Sequence, residues 1–559
     1  MNVYRTILLT FVFHLALSAC QNETGAPPAS SADAASPEMP GATAPADAIY
    51  YGGRIYTLDD QRSWAEAVAV KDGRFLATGN NADMLALAGA DTEQYDLNGA
   101  MAMPGLHDAH FHYLSVTNAL DCTPGQFKPE QLQETLEYCK TRRVAGYPWV
   151  IINGMEMWGD SPLSNDLLNQ AFPDTPVLIR DVTMHTRLVN ARALEIAGID
   201  RDTEPPEGGV IVKHPQTGEP TGVLAEVSAI WLVRAHIPPY PRELVKAALE
   251  ELSLELLAAG VTSVQDAFSF DHDVLEMLGE LDRAGKPIPY IQLHHGWSPE
   301  GGPGRQAQEA QIADRAKYAT PHISANAIKL FLDGVPVPPV FTHVPIGADG
   351  EVDETNLLIP RDVLAQKITE WDRAGLRVKM HAAGDGAVRV GLDAIETVRK
   401  TNGDSGIRHE IGHTSDVSET DLPRFAELNA TAEMSPYFWS PGSMMGNDGY
   451  QFRSLHGHGA LITVGSDYAV VDSFNPFPPI QGIVERGAES LPVETALEFY
   501  TRNPAQVNNN MDNMGSIEAG KTANMIVLDR NILEIPGNEI GATRVLKTIL
   551  DGKVVYERP

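Results

Sequence analysis

The chain has 559 residues, of which 43% are hydrophobic, and this is enough for a large barrel with an insertion and a small companion domain. Its 74 acidic residues outnumber its 42 basic residues, which gives a formal net charge of −32. Such a polyanion repels phosphate backbones and anionic lipid headgroups, which argues against nucleic acid as a partner.

The N-terminus is typical of an export signal. Residues 1–20 contain Arg5 and a short apolar stretch that ends in small residues before Cys20. Residues 17–20 (LSAC) resemble a bacterial lipobox, in which the cysteine is lipidated, and a plain cleaved signal is the alternative. Residues 21–47 are rich in Ala, Pro, Ser and Gly, which predicts a disordered tether. We therefore expect a periplasm-facing lipoprotein, in the outer membrane, whose only membrane contact is the lipid on Cys20.

The first and last segments of the predicted folded region share one sequence pattern. Residues 48–103 and 512–559 both alternate short β-rich runs with turns, which predicts strands and hairpins. We expect these two segments to join into one small β-domain beside the part that lies between them, residues 104–511.

Eight short apolar runs alternate with helix-length amphipathic segments in the middle of the chain. This alternation predicts parallel β/α units, and eight is the number of strands that a closed (β/α)₈ TIM-like barrel needs. We therefore predict an α/β barrel, with residues from about 120 to 241 as an insertion above its mouth. The runs are residues 101–112, 260–266, 288–295, 327–333, 377–381, 407–413, 430–434 and 461–467.

Two cysteines remain if Cys20 carries lipid. Cys122 and Cys139 would then be the only thiols of the chain in an oxidising compartment. A lone pair of cysteines in the periplasm is a candidate disulfide, so we predict a bridge near the start of the insertion.

The pair His110 and His112 is the first indication of a metal site. Residues two apart on a strand point the same way, so both imidazoles can face one ion. Further candidate ligands fall near the ends of other predicted strands, on the face where barrel enzymes place catalysis. These further candidates are Lys329, His381, His413 and Asp467.

These residues lie in motifs that resemble the amidohydrolase superfamily. Residues 104–112 (PGLHDAHFH) resemble its opening motif. Several other segments resemble its YtcJ-like branch (amidohydrolase family 3), which includes N-substituted formamide deformylases. These segments are residues 189–194, 218–224, 329–334, 381–385, 465–467 and 515–521. The resemblance runs from about residue 48 to the end and implies a two-zinc barrel with a split β-sandwich and an insertion.

The resemblance also implies a role for each ligand. His110 and His112 would hold a buried zinc ion with Asp467 near it, and His381 and His413 would hold a second zinc ion. Lys329 would bridge the two ions as an N-carboxylated lysine, since a carbamate is anionic and bidentate. A salt bridge from Lys329 to an acid is the alternative interpretation.

Three further residues bear on the substrate and on departures from the family. His185, in the insertion, is the candidate substrate contact. Gly412 stands before His413 where the branch usually has a glutamate, which predicts a lost packing or supporting contact. Gly386 stands where the branch often has a basic residue, which predicts a lost substrate contact.

The resulting functional hypothesis is hydrolysis of an amide-type C–N bond of a small molecule by a zinc-bound hydroxide. Asp467 would take the proton from the attacking water and deliver it to the leaving nitrogen, which leaves poorly unless protonated. A role for Asp467 as a cap of the following loop is the alternative. Two other functions stay open, a mononuclear deaminase-type hydrolase on the same barrel and a non-catalytic substrate-binding or regulatory lipoprotein. A homo-oligomer is also compatible with the sequence.

Overall fold

The computed structural model describes residues 45–157, 163–270, 272–299, 304–337, 339–439, 449–468, 470–471 and 473–559. The predicted signal peptide with Cys20, and the predicted tether up to residue 44, lie outside these residues. The first strand begins at Ala46, so the tether predicted to end at residue 47 overlaps the strand by two residues. Ala46 is buried and pairs with Ala88 of a neighbouring strand, which places it in the folded sheet.

Strands of the described residues belong to four sheets. Their bounds are β1 Ala46–Tyr51, β2 Arg54–Tyr56, β3 Trp64–Ala65, β4 Ala67–Lys71, β5 Arg74–Gly79, β6 Ala88–Asp96, β7 Met101–Pro104, β8 Leu106–Phe111, β9 Val150–Met155, β10 Val177–Asp181, β11 Thr186–Val189, β12 Val210–Lys213, β13 Pro220–Ala225, β14 Val261–Ser269, β15 Tyr290–Gly296, β16 Ile323–Phe331, β17 Arg377–Ala382, β18 Glu410–His413, β19 Thr431–Met434, β20 Leu461–Val464, β21 Met525–Leu528, β22 Val545–Leu550 and β23 Lys553–Glu557.

None of the helices in the described part of the chain is both long and apolar enough to cross a membrane. The bounds of the α-helices are α1 Asn81–Leu85, α2 Leu132–Cys139, α3 Asp166–Ala171, α4 Ala191–Ala197, α5 Glu226–Arg234, α6 Arg242–Ala258, α7 His272–Arg283, α8 Arg305–Ala313, α9 Arg361–Arg373, α10 Asp385–Asn402, α11 Arg424–Glu427, α12 Phe452–Gly457, α13 Phe477–Val484, α14 Val493–Phe499 and α15 Arg502–Val507.

The predicted barrel is confirmed. Its eight strands, β8 and β14 to β20, lie side by side in chain order, and the seven neighbour pairs are all parallel. The remaining gap, between β20 and β8, is bridged just beyond the end of β20. There the N–H of Asp467 donates to the carbonyl oxygen of His110 at 2.6 Å, and the N–H of His112 donates to that of Tyr468 at 2.9 Å. These bonds bring the segment after β20 against the end of β8.

The first predicted barrel run, residues 101–112, is divided into two strands by Gly105. β7 pairs with β21 at the C-terminal end of the chain, whereas β8 pairs with β14 of the barrel. A Cβ atom on Gly105 would lie 2.2 Å from Oγ1 of Thr262, so only glycine fits where the chain passes from one sheet to the other. Every residue of both strands is buried, so burial does not distinguish the two parts of the run.

The helix α10 illustrates how the barrel layers pack. Its buried residues include Val388, Leu392, Ile395 and Val398, spaced three or four apart so that they share one face. Burying each such side chain stabilises the fold by about 1.5–3 kcal/mol relative to leaving it exposed. A positive φ of 79° at Gly403, where a side chain would be strained, accompanies the end of the helix.

Both chain ends contribute to the sheets beside the barrel. One sheet has the strand order β5-β4-β1-β6, and the other has the order β23-β22-β21-β7-β2-β3. Tyr50 and Ile55 from the N-terminal part pack in one buried cluster with Met525 and Ile549 from the C-terminal part. The strands predicted at the two ends therefore share a core, although they are far apart in sequence.

The insertion has its own sheet, in the order β12-β13-β11-β10-β9, which spans Val150–Ala225. Near its start the structure joins Cys122 and Cys139 in a disulfide, with a Cα–Cα distance of 5.7 Å. Both cysteines are buried in the apolar cluster that lies against this sheet. The pairing agrees with the bridge predicted from the cysteine count.

Removing this bridge is expected to destabilise the protein. The cysteines are 17 residues apart, and closing a loop of that length contributes about 3 kcal/mol in the chain-entropy model. The double variant Cys122→Ala/Cys139→Ala should therefore unfold at lower urea concentration than the parent protein. Thiol titration of the denatured, non-reduced parent is the control. Two reactive thiols there, or equal unfolding free energies, would contradict the prediction.

Candidate metal centre

The predicted ligands meet at the carboxyl ends of the barrel strands. They line one cavity of about 580 Å³, together with the predicted substrate contact from the insertion. This is the location expected for a catalytic site on a parallel barrel. The predicted residues on its wall are His110, His112, His185, Lys329, His381, His413 and Asp467.

A compact group of donor atoms is formed by His110, His112 and Asp467. The Nε2 atom of His112 lies 3.0 Å from Oδ1 of Asp467, and Nε2 of His110 lies 3.7 Å from the same oxygen. One donor atom from each residue lies within 4.8 Å of the other two, close enough for a single ion to contact all three. The grouping agrees with the shared orientation predicted for the two histidines.

Two of the predicted ligands have unusual backbone conformations. The φ angle is 67° at His413 and 57° at Asp467. Non-glycine residues seldom adopt this left-handed region, and such conformations concentrate at functional sites, where the surrounding packing enforces them. The Nδ1 atom of His413 lies 3.7 Å from Oδ2 of Asp467, so both strained residues face the same space.

His381 and His413 lie beside the compact group. Their ring centroids are 4.5 Å apart, and Nε2 of His381 lies 3.1 Å from the carbonyl oxygen of Gly334. Burial holds the pKa of both imidazoles well below the ordinary value, which favours the neutral form that binds metals. Neither histidine belongs to the compact three-residue group, so the geometry places them next to it without itself defining a second ion.

Lys329 is fully buried beside His110. Its Nζ atom lies 3.2 Å from Nε2 of His110. Burial and the neighbouring ammonium of Lys379 hold the pKa of Lys329 below its ordinary value. The carboxylate of Asp333 instead accepts a hydrogen bond from the N–H of Ala383 at 3.0 Å. Among the ion pairs of the described residues, none joins Lys329 to Asp333, and Oδ1 of Asp333 lies 3.6 Å from Nε2 of His381.

Glu433 is a site residue that the motifs do not reveal. Its Oε2 atom lies 2.6 Å from Nδ1 of His110, and both side chains are buried. A carboxylate on one ring nitrogen fixes the orientation of a ligating histidine and leaves the other nitrogen for the metal. Burial raises the pKa of Glu433. An acid within an otherwise apolar barrel strand is the sequence signal that could have identified it.

Gly412 and Gly386, the two glycines singled out in the sequence, occupy confined positions. A Cβ atom on Gly412 would lie 3.2 Å from Oε2 of Glu433, so this carboxylate occupies the space beside position 412. A Cβ atom on Gly386 would lie 2.6 Å from the carbonyl oxygen of Pro345. As the backbone stands, no side chain fits at Gly386, and the close approach of the neighbouring loop explains the glycine there.

His185 extends from the insertion to the metal ligands. Its ring centroid is 5.1 Å from that of His381, and its Nδ1 atom lies 3.0 Å from Oε2 of Glu226. Burial by itself would lower the pKa of His185, but the Glu226 carboxylate raises it above the ordinary value. Thr342 donates to the other oxygen of Glu226 at 2.5 Å and so holds this carboxylate in place. Neither Glu226 nor Thr342 lies in one of the motifs.

Comparisons with known proteins are consistent with this arrangement. Residues 93–556 match the model of the Amidohydrolase family. The chain is 28% identical over 554 residues to YtcJ of Bacillus subtilis (strain 168), a provisionally assigned amidohydrolase, and the match covers 91% of this chain and 99% of that protein. It is also 28% identical to the N-substituted formamide deformylase of Arthrobacter pascens, over 92% of this chain and 98% of that enzyme.

A solved structure resembles the whole fold. An uncharacterized metal-dependent hydrolase from Pyrococcus horikoshii OT3 aligns with a TM-score of 0.65 over 88% of this chain and 99% of that chain. The two sequences are 22% identical, so this likeness supports the fold rather than a particular reaction.

Proposed function

Because this chain belongs to the amidohydrolase family, we propose that it is a metal-dependent hydrolase that cleaves an amide-type C–N bond of a small molecule. The observation that carries the proposal is the group formed by His110, His112 and Asp467, whose donor atoms can contact a single ion. The two curated relatives reported above, an amidohydrolase and a formamide deformylase, support amide chemistry.

The donor set fits zinc. Imidazole nitrogens and a carboxylate oxygen are the ligands that catalytic zinc takes in proteins. A second ion is supported by His381, whose buried Nδ1 atom has no hydrogen-bond partner among the described residues, although its Nε2 atom contacts Gly334. We propose two zinc ions, with His110 and His112 at one, His381 and His413 at the other, and Lys329 between them as a carbamate.

When bound, zinc would polarise the substrate carbonyl and make water more acidic. We assign the role of proton shuttle to Asp467, because its Oδ1 atom lies 3.0 Å from Nε2 of His112 and its Oδ2 atom lies 3.7 Å from Nδ1 of His413. It would accept the proton of the attacking water and transfer it to the leaving nitrogen, which departs as a neutral amine. Glu433 would hold the ring of His110 throughout.

Metal content and amide turnover together test this function. We expect the purified protein to contain zinc and to release an amine and a carboxylic acid from at least one member of a panel of N-formyl, N-acyl and cyclic amides. Removal of the metal with a chelator should abolish this release, and added zinc should restore it. A metal-loaded protein that hydrolyses none of the panel would contradict the proposal and favour a binding or regulatory lipoprotein.

The compact three-residue group also favours a second candidate, a hydrolase with one metal ion. A mononuclear deaminase-type enzyme needs no bridging lysine. Two zinc ions per chain would support the binuclear proposal. One ion per chain, together with release of ammonia from a nitrogen heterocycle, would support the deaminase instead.

His185 is proposed to donate a hydrogen bond to the substrate. The variant His185→Gln removes the ring that reaches toward His381, and a lost hydrogen bond in such a site lowers kcat/KM by roughly 10–100-fold. Zinc content should not change, because His185 is not proposed as a ligand. His214→Gln, an exposed histidine in the same insertion, is the matched control. An unchanged kcat/KM in His185→Gln would exclude a substrate contact.

The localisation is a separate proposal, based on the lipobox-like residues 17–20 and the tether that follows. We expect Cys20 to carry lipid and to hold the enzyme at the periplasmic face of the outer membrane. Mass spectrometry of the mature N-terminus should detect acylated Cys20, and Cys20→Ser should release the protein from membranes. Recovery of the unmodified parent protein in the soluble periplasm would contradict lipidation.

A further inference from the structure

The outer part of the active-site cavity contains three arginines of the insertion. Arg180 lies in β10, Arg187 lies in β11, and Arg234 ends α5, and all three line the cavity. They stand in a chain with a net charge of −32, where cationic clusters are scarce. Like charges that converge on one cavity in such a protein need a compensating anion.

The charge of Arg180 is already compensated. Its Nη1 atom lies 2.6 Å from Oδ2 of Asp121, and the same nitrogen donates to side-chain oxygens of Asn118 at 2.7 Å and Asn153 at 2.9 Å. This arginine therefore supports the insertion sheet, and its charge is balanced by the carboxylate of Asp121.

The charge of Arg187 is poorly compensated. Its side chain is only 10% exposed, and the nearest carboxylate oxygen, on Asp181, lies 3.8 Å away. That carboxylate already accepts hydrogen bonds from the N–H of Thr186 at 2.9 Å and from the hydroxyl of Thr183. The hydrogen bond found for the Arg187 guanidinium goes to the carbonyl oxygen of Thr186, at 2.8 Å. A guanidinium has five N–H donors, so this leaves a buried cation with donor capacity at a cavity wall.

Arg234 adds a second cation to the same region. Its guanidinium lies 5.8 Å from the ring centroid of Trp231, which also lines the cavity. Among the described residues of this wall, Asp273 is an acid whose side chain is 69% exposed and lies 3.9 Å from the surface residue Arg242. Burial, and the nearby charges of Arg180 and Arg234, lower the pKa of Arg187, so Arg187 and Arg234 are close to each other on the cavity wall.

Between these arginines and the metal ligands the wall is aromatic. Phe268 contacts Phe270 and Phe331 at ring-centroid distances of 4.5 and 4.9 Å. Phe331 also lies 5.1 Å from the ring of His381, next to the proposed reaction centre. An apolar group bound against these rings would be shielded from water.

The separation of His185 and Arg187 along the insertion indicates how long a ligand must be to contact both. His185 approaches the metal ligands, and Arg187 follows it by two residues, which corresponds to about 7 Å of extended chain. Residues two apart in an extended segment share a side, so His185 and Arg187 can both face the cavity. A ligand can therefore contact both while its apolar part rests on the phenylalanine rings.

From this arrangement we propose that the cavity selects amides that carry a carboxylate, with the carboxylate held by Arg187 and Arg234 and an apolar body seated on Phe268, Phe270 and Phe331. An arginine fork matches a carboxylate by two parallel hydrogen bonds. The selection of amides rests on the proposed function, whereas carboxylate binding can be measured without turnover.

The test uses a matched pair of probes with the zinc-loaded protein. 3-Phenylpropionate and 3-phenyl-1-propanol share the phenyl group and the chain, and they differ in the carboxylate. Titration calorimetry should give at least about tenfold tighter binding of the carboxylate, the factor expected from charge-assisted hydrogen bonds. In Arg187→Gln this preference should vanish while the alcohol binds as before. Arg192→Gln, an exposed arginine of α4 in the same insertion, should keep the full preference.

Two further variants cover the case in which Arg187→Gln fails to fold. Arg187→Lys keeps the charge but loses the fork, and Arg234→Gln removes the partly exposed second cation. Each should retain the melting temperature of the parent protein and weaken the preference by several-fold. Equal binding of the two probes by the parent protein would overturn the proposal. So would a preference that survives in Arg187→Gln, because it would place the carboxylate on the metal instead.

Measurements of turnover test the proposed hydrolase activity separately from the proposed carboxylate site. N-formylphenylalanine and N-phenethylformamide differ by the carboxylate and can be compared as substrates. Carboxylate-selective binding that depends on Arg187, without hydrolysis of any amide, would leave the binding site standing and overturn the hydrolase. Equal hydrolysis of both formamides, with no binding preference, would support the hydrolase and overturn the carboxylate site.

Discussion

Replacing Asp467 with asparagine is expected to lower kcat by roughly 10²–10⁴-fold, the range for loss of general acid–base catalysis. The asparagine amide keeps the size of the side chain and an oxygen that can face His112, but it cannot accept a proton. Asparagine also tolerates the positive φ of 57° at this position, so the melting temperature should change little. We expect zinc content to stay close to that of the parent protein.

This variant also distinguishes the shuttle from a loop cap. Asparagine caps a turn nearly as well as aspartate, so a capping role predicts full activity. Asp353→Asn is the matched control, because Asp353 accepts a hydrogen bond from the N–H of Thr355 and is a true cap on the surface. Activity near the parent rate in both variants, with normal zinc content, would show that the shuttle is a different residue.

Replacing Lys329 with alanine is expected to remove most of the bound metal and most of the activity. Removing a group that only orients a metal ligand lowers metal affinity or activity by roughly 10–100-fold. Removing a ligand that bridges two ions should lower them by more than this. The proposed modification joins the lysine amine to CO₂ as a carbamate and releases a proton. It accounts for a lysine that is fully buried beside His110. Short carboxylic acids should fill the space left by the side chain and restore part of the activity.

Carboxylation of Lys329 can be detected directly, without a measurement of activity. Protein loaded with ¹³C-labelled bicarbonate should show a carbamate carbon signal in the parent and none in Lys329→Ala. Lys400→Ala, an exposed lysine of α10, should keep the signal, the zinc and the rate. If zinc content and rate are unchanged in Lys329→Ala, Lys329 has only a structural role.

Several features follow from local sequence patterns, and the structure agrees with them. The eight apolar runs predict the eight barrel strands because buried parallel strands are nearly continuous in hydrophobicity. The spacing of His110 and His112 predicts their shared face because side chains alternate along a strand. The number of cysteines that remain if Cys20 carries lipid predicts a bridge between Cys122 and Cys139, and the structure joins these two residues in a disulfide. Each of these patterns depends on neighbours close in the chain or on composition alone.

Other features depend on which segments meet across the fold. Glu433 contacts His110 across 323 residues, and Glu226 contacts His185 across 41, so no spacing rule connects either pair. The break at Gly105 arises where the chain changes strand partners, and every residue of the strands on both sides of it is buried. The weakly compensated charge of Arg187 is visible only when its distance from Asp181 is known. Hydrophobic periodicity determines which residues are buried, whereas the partner of a buried polar group is decided by strand register and loop path, which only the tertiary structure defines.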